Sequence, residues 1–416
     1  MNLKDKLRQL DRSAGGRDAA SLPRRAPAED ALDRQLKGEW VETDAGRFLR
    51  VRNRYPLPHP HGAMLLRPAH EIHRDSMRVM AKNSISDQFD PQQALFFDTE
   101  TTGLAGGTGT YVFLIGLGYC TDDAFVVEQL FLPELNGERA MLAYFDSLLQ
   151  QRRGLVSFNG KSFDAPLLRT RFIQQRMPPT LDLHEHLDLL HAARRLVKSD
   201  YGDCSLSTLE RSLLGLERHG DVPGEEIPPI YMDFLRTGNT NGLPPIFYHN
   251  RMDILSLYAL LMHLTERVRL ARVAGIAPQQ AARVAQLHVQ VRAPETAATI
   301  YRNLLEKQEI DPASEVEFLL HFARSKKQLR QYEDAVQAWL RIVEQKRFVL
   351  EPFVELAKYY EHRQRDYERA LTYTRRALNA IQIRLQLMPD GQLHRARREL
   401  LHRQERLLRK LAKRQR

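Results

Sequence analysis

Residues 94–103, with the sequence ALFFDTETTG, join an apolar run to two acids and a turn signal. A short apolar run that ends at threonine and glycine is typical of a strand buried on both faces. Asp98 and Glu100 are two positions apart, so a strand points both side chains to the same face. Two carboxylates this close repel each other unless a proton or a cation lies between them. Because a solvated D-x-E also occurs by chance at strand ends, the interpretation depends on acids elsewhere in the chain.

The segments that follow predict an α/β domain. Residues 111–119 and 124–132 are rich in β-branched and aromatic residues and flank a polar turn, which predicts two neighbouring strands. Apolar residues at helical spacing predict a helix over residues 136–151, and residues 155–158 predict another short buried strand. Antiparallel strands followed by strand–helix alternation indicate a mixed sheet that is covered by helices.

Two further acids occur at predicted helix starts. The segment FNGKSFDAPLL, residues 158–168, turns from a strand into a helix with Asp164 in its first turn. The segment YHNRMDILSL, residues 248–257, opens a long apolar helix in which Asp253 follows His249 by one turn. A simpler interpretation exists for each, since an acid in the first turn of a helix interacts favourably with the helix dipole.

Together, four acids on one α/β domain suit a two-metal centre; they are Asp98, Glu100, Asp164 and Asp253. Such a centre holds two divalent cations roughly 3.5–4 Å apart for an in-line phosphoryl displacement. Carboxylate oxygens favour Mg²⁺ or Mn²⁺ over softer metals, so we predict two cations of this kind as cofactors. A histidine or tyrosine nearby would orient or deprotonate the attacking water.

Three segments of the chain resemble the motifs of a known nuclease family. FFDTETTGL, FNGKSFDAPLL and YHNRMDILSL are similar to motifs I, II and III of the DnaQ-like (DEDD) 3′–5′ exonucleases of the ribonuclease-H-like superfamily. The resemblance covers roughly residues 94–265 and implies a ribonuclease-H-like mixed sheet flanked by helices, with the four acids as metal ligands. It also implies a set of substrate-binding residues, namely Thr101, Gly103, Leu104, Asn159 and Phe163. Within motif II, Asn159 would position the loop and Phe163 would pack the helix.

The water-orienting residue departs from the family pattern. The family has either a histidine five positions before the last aspartate or a tyrosine four positions before it. Here Tyr248 is five positions before Asp253 and His249 is four positions before it. If the helix already includes these residues, His249 shares a face with Asp253 and Tyr248 does not. We therefore favour His249, although the pattern leaves both residues as catalytic candidates.

The last third of the chain predicts helical repeats. Residues 331–335 and 365–370 align at an offset of 35 residues, and each lies between two apolar helical segments. This resembles tetratricopeptide repeats, whose stacked units of about 34 residues form a concave surface for a protein partner. A plain helical bundle is the alternative. Leucines at seven-residue spacing among basic residues then predict a terminal helix that could contact phosphates.

These patterns predict an all-α tetratricopeptide-repeat domain after the ribonuclease-H-like domain, an architecture that resembles a bacterial family of YprB type. The predicted segments are a partly disordered N-terminal extension (1–90), the exonuclease domain (91–270), the helical repeats (275–390) and a basic C-terminal helix (391–416).

Composition and charge limit the class of protein. The chain has 416 residues, 43% hydrophobic and 27% charged, which is ordinary for a globular protein. It shows no apolar run of membrane-spanning length and no signal-peptide pattern, and its two cysteines predict free thiols, so we expect a cytoplasmic protein without a membrane partner. Residues 91–265 hold 14 Lys and Arg against 21 Asp and Glu, whereas residues 266–416 hold 31 against 18. An acidic centre beside a basic flank indicates a metal site next to a surface that attracts polyanions.

The favoured hypothesis is a metal-dependent 3′–5′ exonuclease that acts on DNA or RNA, at a single strand or a 3′ end, with a protein partner bound by the repeats. One alternative is structure-selective endonuclease cleavage by the same centre. The other is a non-catalytic scaffold that holds nucleic acid and recruits a partner. The presence of all four acids argues against an inactive centre, because loss of one carboxylate is the simplest route to inactivity.

Overall fold

The computed structural model of the protein describes residues 29–103, 109–273, 275–307, 310–345, 349–387 and 391–414. The chain divides into two compact units, Met1–Arg269 and Leu270–Arg416. Among the described helices, none combines the length and the apolar character that crossing a bilayer requires. Both cysteines are free and buried.

The strands of the first unit form a mixed sheet and a small separate hairpin. Within the described residues they are β1 (Gly38–Thr43), β2 (Gly46–Pro56), β3 (His59–His61), β4 (Met64–Leu66), β5 (Leu95–Thr101), β6 (Val112–Cys120), β7 (Ala124–Phe131), β8 (Leu155–Ser157) and β9 (His186–Asp188). The seven-stranded sheet has the order β1-β2-β7-β6-β5-β8-β9, and β3 pairs with β4. Pairing is antiparallel from β1 to β5 and parallel from β5 through β8 to β9. The predicted α/β class and mixed sheet are confirmed.

The described helices of the first unit include three that connect strands, one that precedes β1 and five that follow β9. They are α1 (Glu29–Leu36), α2 (Arg74–Ala81), α3 (Glu138–Gln150), α4 (Asp164–Gln174), α5 (Leu189–Leu196), α6 (Lys198–Tyr201), α7 (Leu206–Leu209), α8 (Ile227–Thr237) and α9 (Leu243–Ala271). A π-helical turn, Glu210–Leu214, follows α7 directly. The longest of them, α9, begins close to the motif that carries His249 and Asp253, so both residues lie on continuous helix.

Helix α9 packs across one face of the sheet through residues spaced by four. Tyr258 stacks on Phe125 of β7 at 4.5 Å between ring centroids and meets the edge of Phe96 of β5 at 5.4 Å. One turn earlier, Ile254 lies against Gly118 of β6. Every residue of β6 is buried, as expected for a strand that is covered on both faces. This packing fixes where the first turns of α9 meet the end of β5.

Strand β2 corrects the prediction of an N-terminal extension over residues 1–90. It pairs with β7 from Leu49 opposite Phe131 to Pro56 opposite Ala124, so residues 38–56 belong to the sheet. The outward positions of β2 are arginines, and Arg52 bonds to the buried carboxylate of Glu128 on β7. A strand at residues 47–51 is predictable from the sequence, but its place in the sheet depends on its pairing with β7. Residues 1–28, where disorder was predicted, lie outside the described residues.

The second unit is helical. Its described helices are α10 (Pro278–Gln290), α11 (Pro294–Leu305), α12 (Pro312–Gln328), α13 (Tyr332–Glu344), α14 (Leu350–Tyr359), α15 (Tyr367–Leu387) and α16 (Gly391–Arg414). Three arginines with positive φ stand two residues before α11, α13 and α15: Arg292 (61°), Arg330 (59°) and Arg365 (55°). The same left-handed turn therefore precedes three helices of this unit.

The basic helix α16 is part of the core of the second unit. Leu400 and Leu407 are buried in the apolar cluster that also contains Trp339 and Tyr360. On the same side of α16, Arg406 and Lys410 bond to the buried carboxylate of Glu361 at 2.9 Å and 2.8 Å. One face of this helix is therefore structural, and only the other face is available to solvent.

Candidate metal centre

The end of β5 presents the first two acids. Asp98 lies opposite Gly116 of β6, and Glu100 lies opposite Leu114. The register shifts between Glu100 and Thr101, so the ladder with β6 becomes irregular directly after the second acid. Because residues two apart share a face, both carboxylates point to the side of the sheet that α9 covers.

Asp164 reaches the cluster from the start of α4. It is the first residue of the helix, and the hydroxyl of Thr99 on β5 donates to its Oδ1. The turn before the helix is tight: Asn159 has φ 63°, and a Cβ at Gly160 would lie 2.5 Å from the Ser157 hydroxyl oxygen. Only glycine fits there, and this local geometry brings the helix start to the end of β5.

His249 and Asp253 complete the cluster from consecutive turns of α9. Their facing atoms, His249 Nε2 and Asp253 Oδ2, are 3.4 Å apart. One ligand atom from each of Glu100, His249 and Asp253 lies within 4.8 Å of the other two. The two carboxylates could share one cation, with the imidazole beside it. On its other side, His249 Nδ1 is 2.9 Å from Asp221 Oδ1, so a carboxylate fixes the orientation of the imidazole.

The electrostatics of the cluster fit a site for cations. Burial, the largest cause, together with the other three acids raises the pKa of Asp98 well above its ordinary value. Burial likewise raises the pKa of Glu100 to about 8, and it raises the pKa of Asp164. Burial opposes a charged His249, but the carboxylates of Asp253, Glu100 and Asp221 raise its pKa overall. Bound divalent cations would relieve this repulsion, and the partial exposure of all four acids leaves the cluster open to ions from solvent.

The two candidate water-orienting residues lie in different environments. His249 contacts Asp221 and Asp253, as described above. Tyr248 instead lies under the guanidinium of Arg251, whose Cζ is 5.7 Å from its ring centroid. A helical step of one residue separates the two side chains by roughly 100°, which explains why they do not share a face.

Of the residues implied to bind substrate, some make hydrogen bonds within the loops and one is exposed to solvent. The Thr101 hydroxyl donates to the Gly103 carbonyl at 3.0 Å, and the Asn159 backbone N–H donates to Asp188 Oδ1 at 2.9 Å. These contacts shape the loops on either side of the acids. The side chain of Phe163 is 61% exposed beside Asp164, so the implied packing role is wrong and its ring faces solvent. Leu104 lies outside the described residues.

Sequence reasoning missed several polar partners of the cluster. The guanidinium of Arg218 donates to the carboxylates of Asp253, Glu210 and Asp221. Asn250, adjacent to His249, donates from Nδ2 to Asp98 Oδ2 at 3.1 Å. Arg218 and Asp221 lie in an irregular loop without periodicity, so no local signal marked them. Asn250 belongs to the third motif segment, but its contact with Asp98 could not be predicted because it depends on which strand α9 crosses.

Comparisons with known proteins agree with this fold. Residues 95–265 match a family model described as RNase_H superfamily. The uncharacterized protein YprB of Bacillus subtilis (strain 168) is 32% identical over 331 residues, which is 78% of this chain and 79% of that protein.

A solved structure also resembles the chain, at a much greater distance. The family B DNA polymerase from the hyperthermophilic archaeon Pyrobaculum calidifontis matches 64% of this chain with a TM-score of 0.34 and 14% identity. The match covers 36% of the polymerase chain, and a likeness this distant carries no inference about function.

The family match spans β5 to α9 and so includes all four acids. Proteins of this superfamily usually hydrolyse the phosphodiester bonds of nucleic acids, which indicates a nuclease-type function with nucleic acid as the partner. The chain therefore belongs to the family of YprB, and its residues 95–265 form a ribonuclease H superfamily domain.

Proposed function

We propose that the protein is a metal-dependent 3′–5′ exonuclease of the DEDD type that hydrolyses DNA or RNA. The observation that carries this proposal is the convergence of acids from β5, α4 and α9, where the carboxylates of Asp164 and Asp253 add to burial in raising the pKa of both Asp98 and Glu100. The proposed metal ligands are Asp98, Glu100, Asp164 and Asp253. Bound Mg²⁺ or Mn²⁺ would supply a water of lowered pKa and stabilise the departing oxygen.

His249 is the proposed general base. Its Nδ1 faces Asp221 at 2.9 Å, so the proton of a neutral imidazole resides on that nitrogen and Nε2 keeps its lone pair. Nε2 faces the acid cluster, 3.4 Å from Asp253 Oδ2, so it could accept a proton from a water bound there. For Tyr248 the structure shows a different contact, with the guanidinium of Arg251, whose Cζ is 5.7 Å from the ring centroid.

The second unit is proposed to be a tetratricopeptide-like array that binds a protein partner. The support is the repeated left-handed arginine turn before α11, α13 and α15. The outer face of α16 adds exposed cations, among them Arg397 and Arg398, that we propose contact nucleic-acid phosphates.

Cleavage of 5′-labelled single-stranded DNA and RNA, with Mg²⁺, with Mn²⁺ and with EDTA, tests the proposal. We expect a metal-dependent ladder that shortens from the 3′ end in the wild type and is absent in Asp98→Ala. Discrete products of internal cleavage would indicate an endonuclease instead of an exonuclease. Unchanged cleavage by Asp98→Ala would show that the acids are misassigned, and no cleavage of either polymer would favour a binding scaffold.

A further inference from the structure

Asn250 bridges two strands across the middle of the sheet. Asp98 of β5 is opposite Gly116 of β6, which in turn is opposite Gln129 of β7. The Asn250 side chain lies over Gly116, donating from Nδ2 to Asp98 Oδ2 at 3.1 Å and accepting at Oδ1 from Gln129 Nε2 at 3.1 Å. Asn250 and Gln129 are both fully buried. A buried amide with a partner at each end has little freedom to rotate.

The direction of this hydrogen-bond chain is fixed at both ends. Gln129 Nε2 also donates to the backbone carbonyl of Phe247, at 2.8 Å. A carbonyl only accepts, so the amino group of Gln129 must face α9. Asn250 therefore turns its oxygen to Gln129 and its amino group to Asp98. A carboxylate that binds a cation is ionised and also only accepts, so the amino group of Asn250 matches the metal-binding form of Asp98.

Gly116 provides the space for this amide. A Cβ at position 116 would lie 2.2 Å from Asn250 Oδ1 and 2.7 Å from its Cγ. Gly118, two residues along the same strand, is equally crowded, but by Ile254 Cγ2 at 2.5 Å and Phe125 Cζ at 2.6 Å. The two glycines thus offer a matched pair: a methyl group at either disturbs the packing of α9, but only one displaces the amide.

We propose that Asn250 is a positioning residue for the metal ligand Asp98, anchored by Gln129. This inference rests on the proposed function of the acid cluster. The bond to Oδ2 holds the plane of the carboxylate, and among the described residues no hydrogen bond engages its Oδ1. Oδ1 is therefore the oxygen directed to a cation. The amide does this without adding a charge to a site that already contains four acids. Outer partners of this type typically change metal affinity or activity by 10–100-fold.

Calorimetric titration of the full chain with Mn²⁺ tests the role of Asn250 independently of activity. The central variant is Asn250→Leu, which keeps the volume of the side chain and removes the amide. We expect its Mn²⁺ dissociation constant to rise 10–100-fold. Its free energy of unfolding in EDTA, measured with urea, should change by much less than the free energy that corresponds to this loss of affinity. Gln129→Leu should weaken binding in the same direction. The double variant should be no weaker than Asn250→Leu alone, because Gln129 acts only through Asn250.

Gly116→Ala and Gly118→Ala separate positioning from general packing. We expect Gly116→Ala to weaken Mn²⁺ binding and Gly118→Ala to retain it within twofold; equal loss in both would overturn the inference. An affinity within twofold of wild type in both Asn250→Leu and Gln129→Leu would also overturn it. Failure of the proposed function has a different signature, since the wild type would then bind Mn²⁺ no better than Asp98→Ala does.

Discussion

The metal-free protein should lose stability as the pH rises, and Glu100→Gln should remove much of that loss. In the folded chain the pKa of Glu100 is raised from 4.5 to about 8, mainly by burial. A carboxyl group with a raised folded-state pKa stabilises the fold fully below its unfolded pKa, and this contribution is lost as the pH rises through the folded value. One proton at about 1.4 kcal/mol per pH unit gives a loss of about 2–3 kcal/mol between pH 5 and pH 7. The penalty approaches about 5 kcal/mol above pH 8. Glutamine carries no charge at any pH, so the variant lacks this pH-dependent loss of stability.

Urea unfolding in EDTA at pH 5, 6, 7 and 8 measures this effect. The chain has two tryptophans, so a Trp339→Phe background leaves Trp40 as the fluorescent reporter of the first unit. Glu225→Gln, at an exposed position outside the cluster, is the matched control and should follow the wild type. A wild type whose stability does not fall between pH 5 and pH 8 would refute the reasoning. So would a Glu100→Gln protein with the same slope as the control.

Three further predictions concern the rest of the molecule. Arg171→Met should lower the free energy of unfolding of the first unit by about 3–5 kcal/mol in urea, because it leaves the buried carboxylate of Glu138 without its cationic partner. Arg169→Met breaks an exposed ion pair with Asp182 and should cost less than about 1 kcal/mol. Equal effects of the two substitutions would contradict this prediction. Glu361→Gln should destabilise the second unit at neutral pH, measured by Trp339 fluorescence. Burial opposes the ionised form, but the basic hydrogen-bond partners of Glu361 lower its pKa to about 2. The contribution of Glu361 to stability is therefore present above about pH 4.5 and lost as the pH falls towards 2. A wild-type contribution that persists at pH 2 would count against this prediction. The double variant Arg397→Gln/Arg398→Gln should weaken nucleic-acid binding. The slope of log affinity against log salt concentration should fall by about 0.7–0.9 per charge removed. An unchanged slope would mean that the exposed face of α16 does not contact phosphates.

The terminal helix shows how structure changes the design of such tests. For a solvated basic tail, deletion of residues 390–416 would be the simplest test of phosphate binding. In the structure Leu400 and Leu407 lie in the core of the second unit, and Glu361 depends on Arg406 and Lys410. Deletion would therefore unfold the unit as well as remove charge, and substitutions on the exposed face are the cleaner experiment.

The sequence by itself determined the elements whose signal is local. The apolar run before Asp98 identifies β5, and the Asn159–Gly160 turn identifies the start of α4, because strand and turn signals need only neighbouring residues. The four-residue spacing of His249 and Asp253 likewise follows from helical geometry alone. These local patterns were sufficient for the α/β class and for the acids that converge.

Tertiary structure decided everything that depends on which elements meet. The partnership of Asp98 with Asn250 joins residues 152 positions apart, and that of Gln129 with Asn250 joins residues 121 positions apart. Arg218 lies in an irregular loop, and its contacts exist only because α9 brings Asp253 to that loop. Hydrogen bonds at long sequence separation leave no periodicity in the chain, since they require only one polar atom at each end. The acids were therefore predictable from sequence, whereas the groups that orient and neutralise them were not.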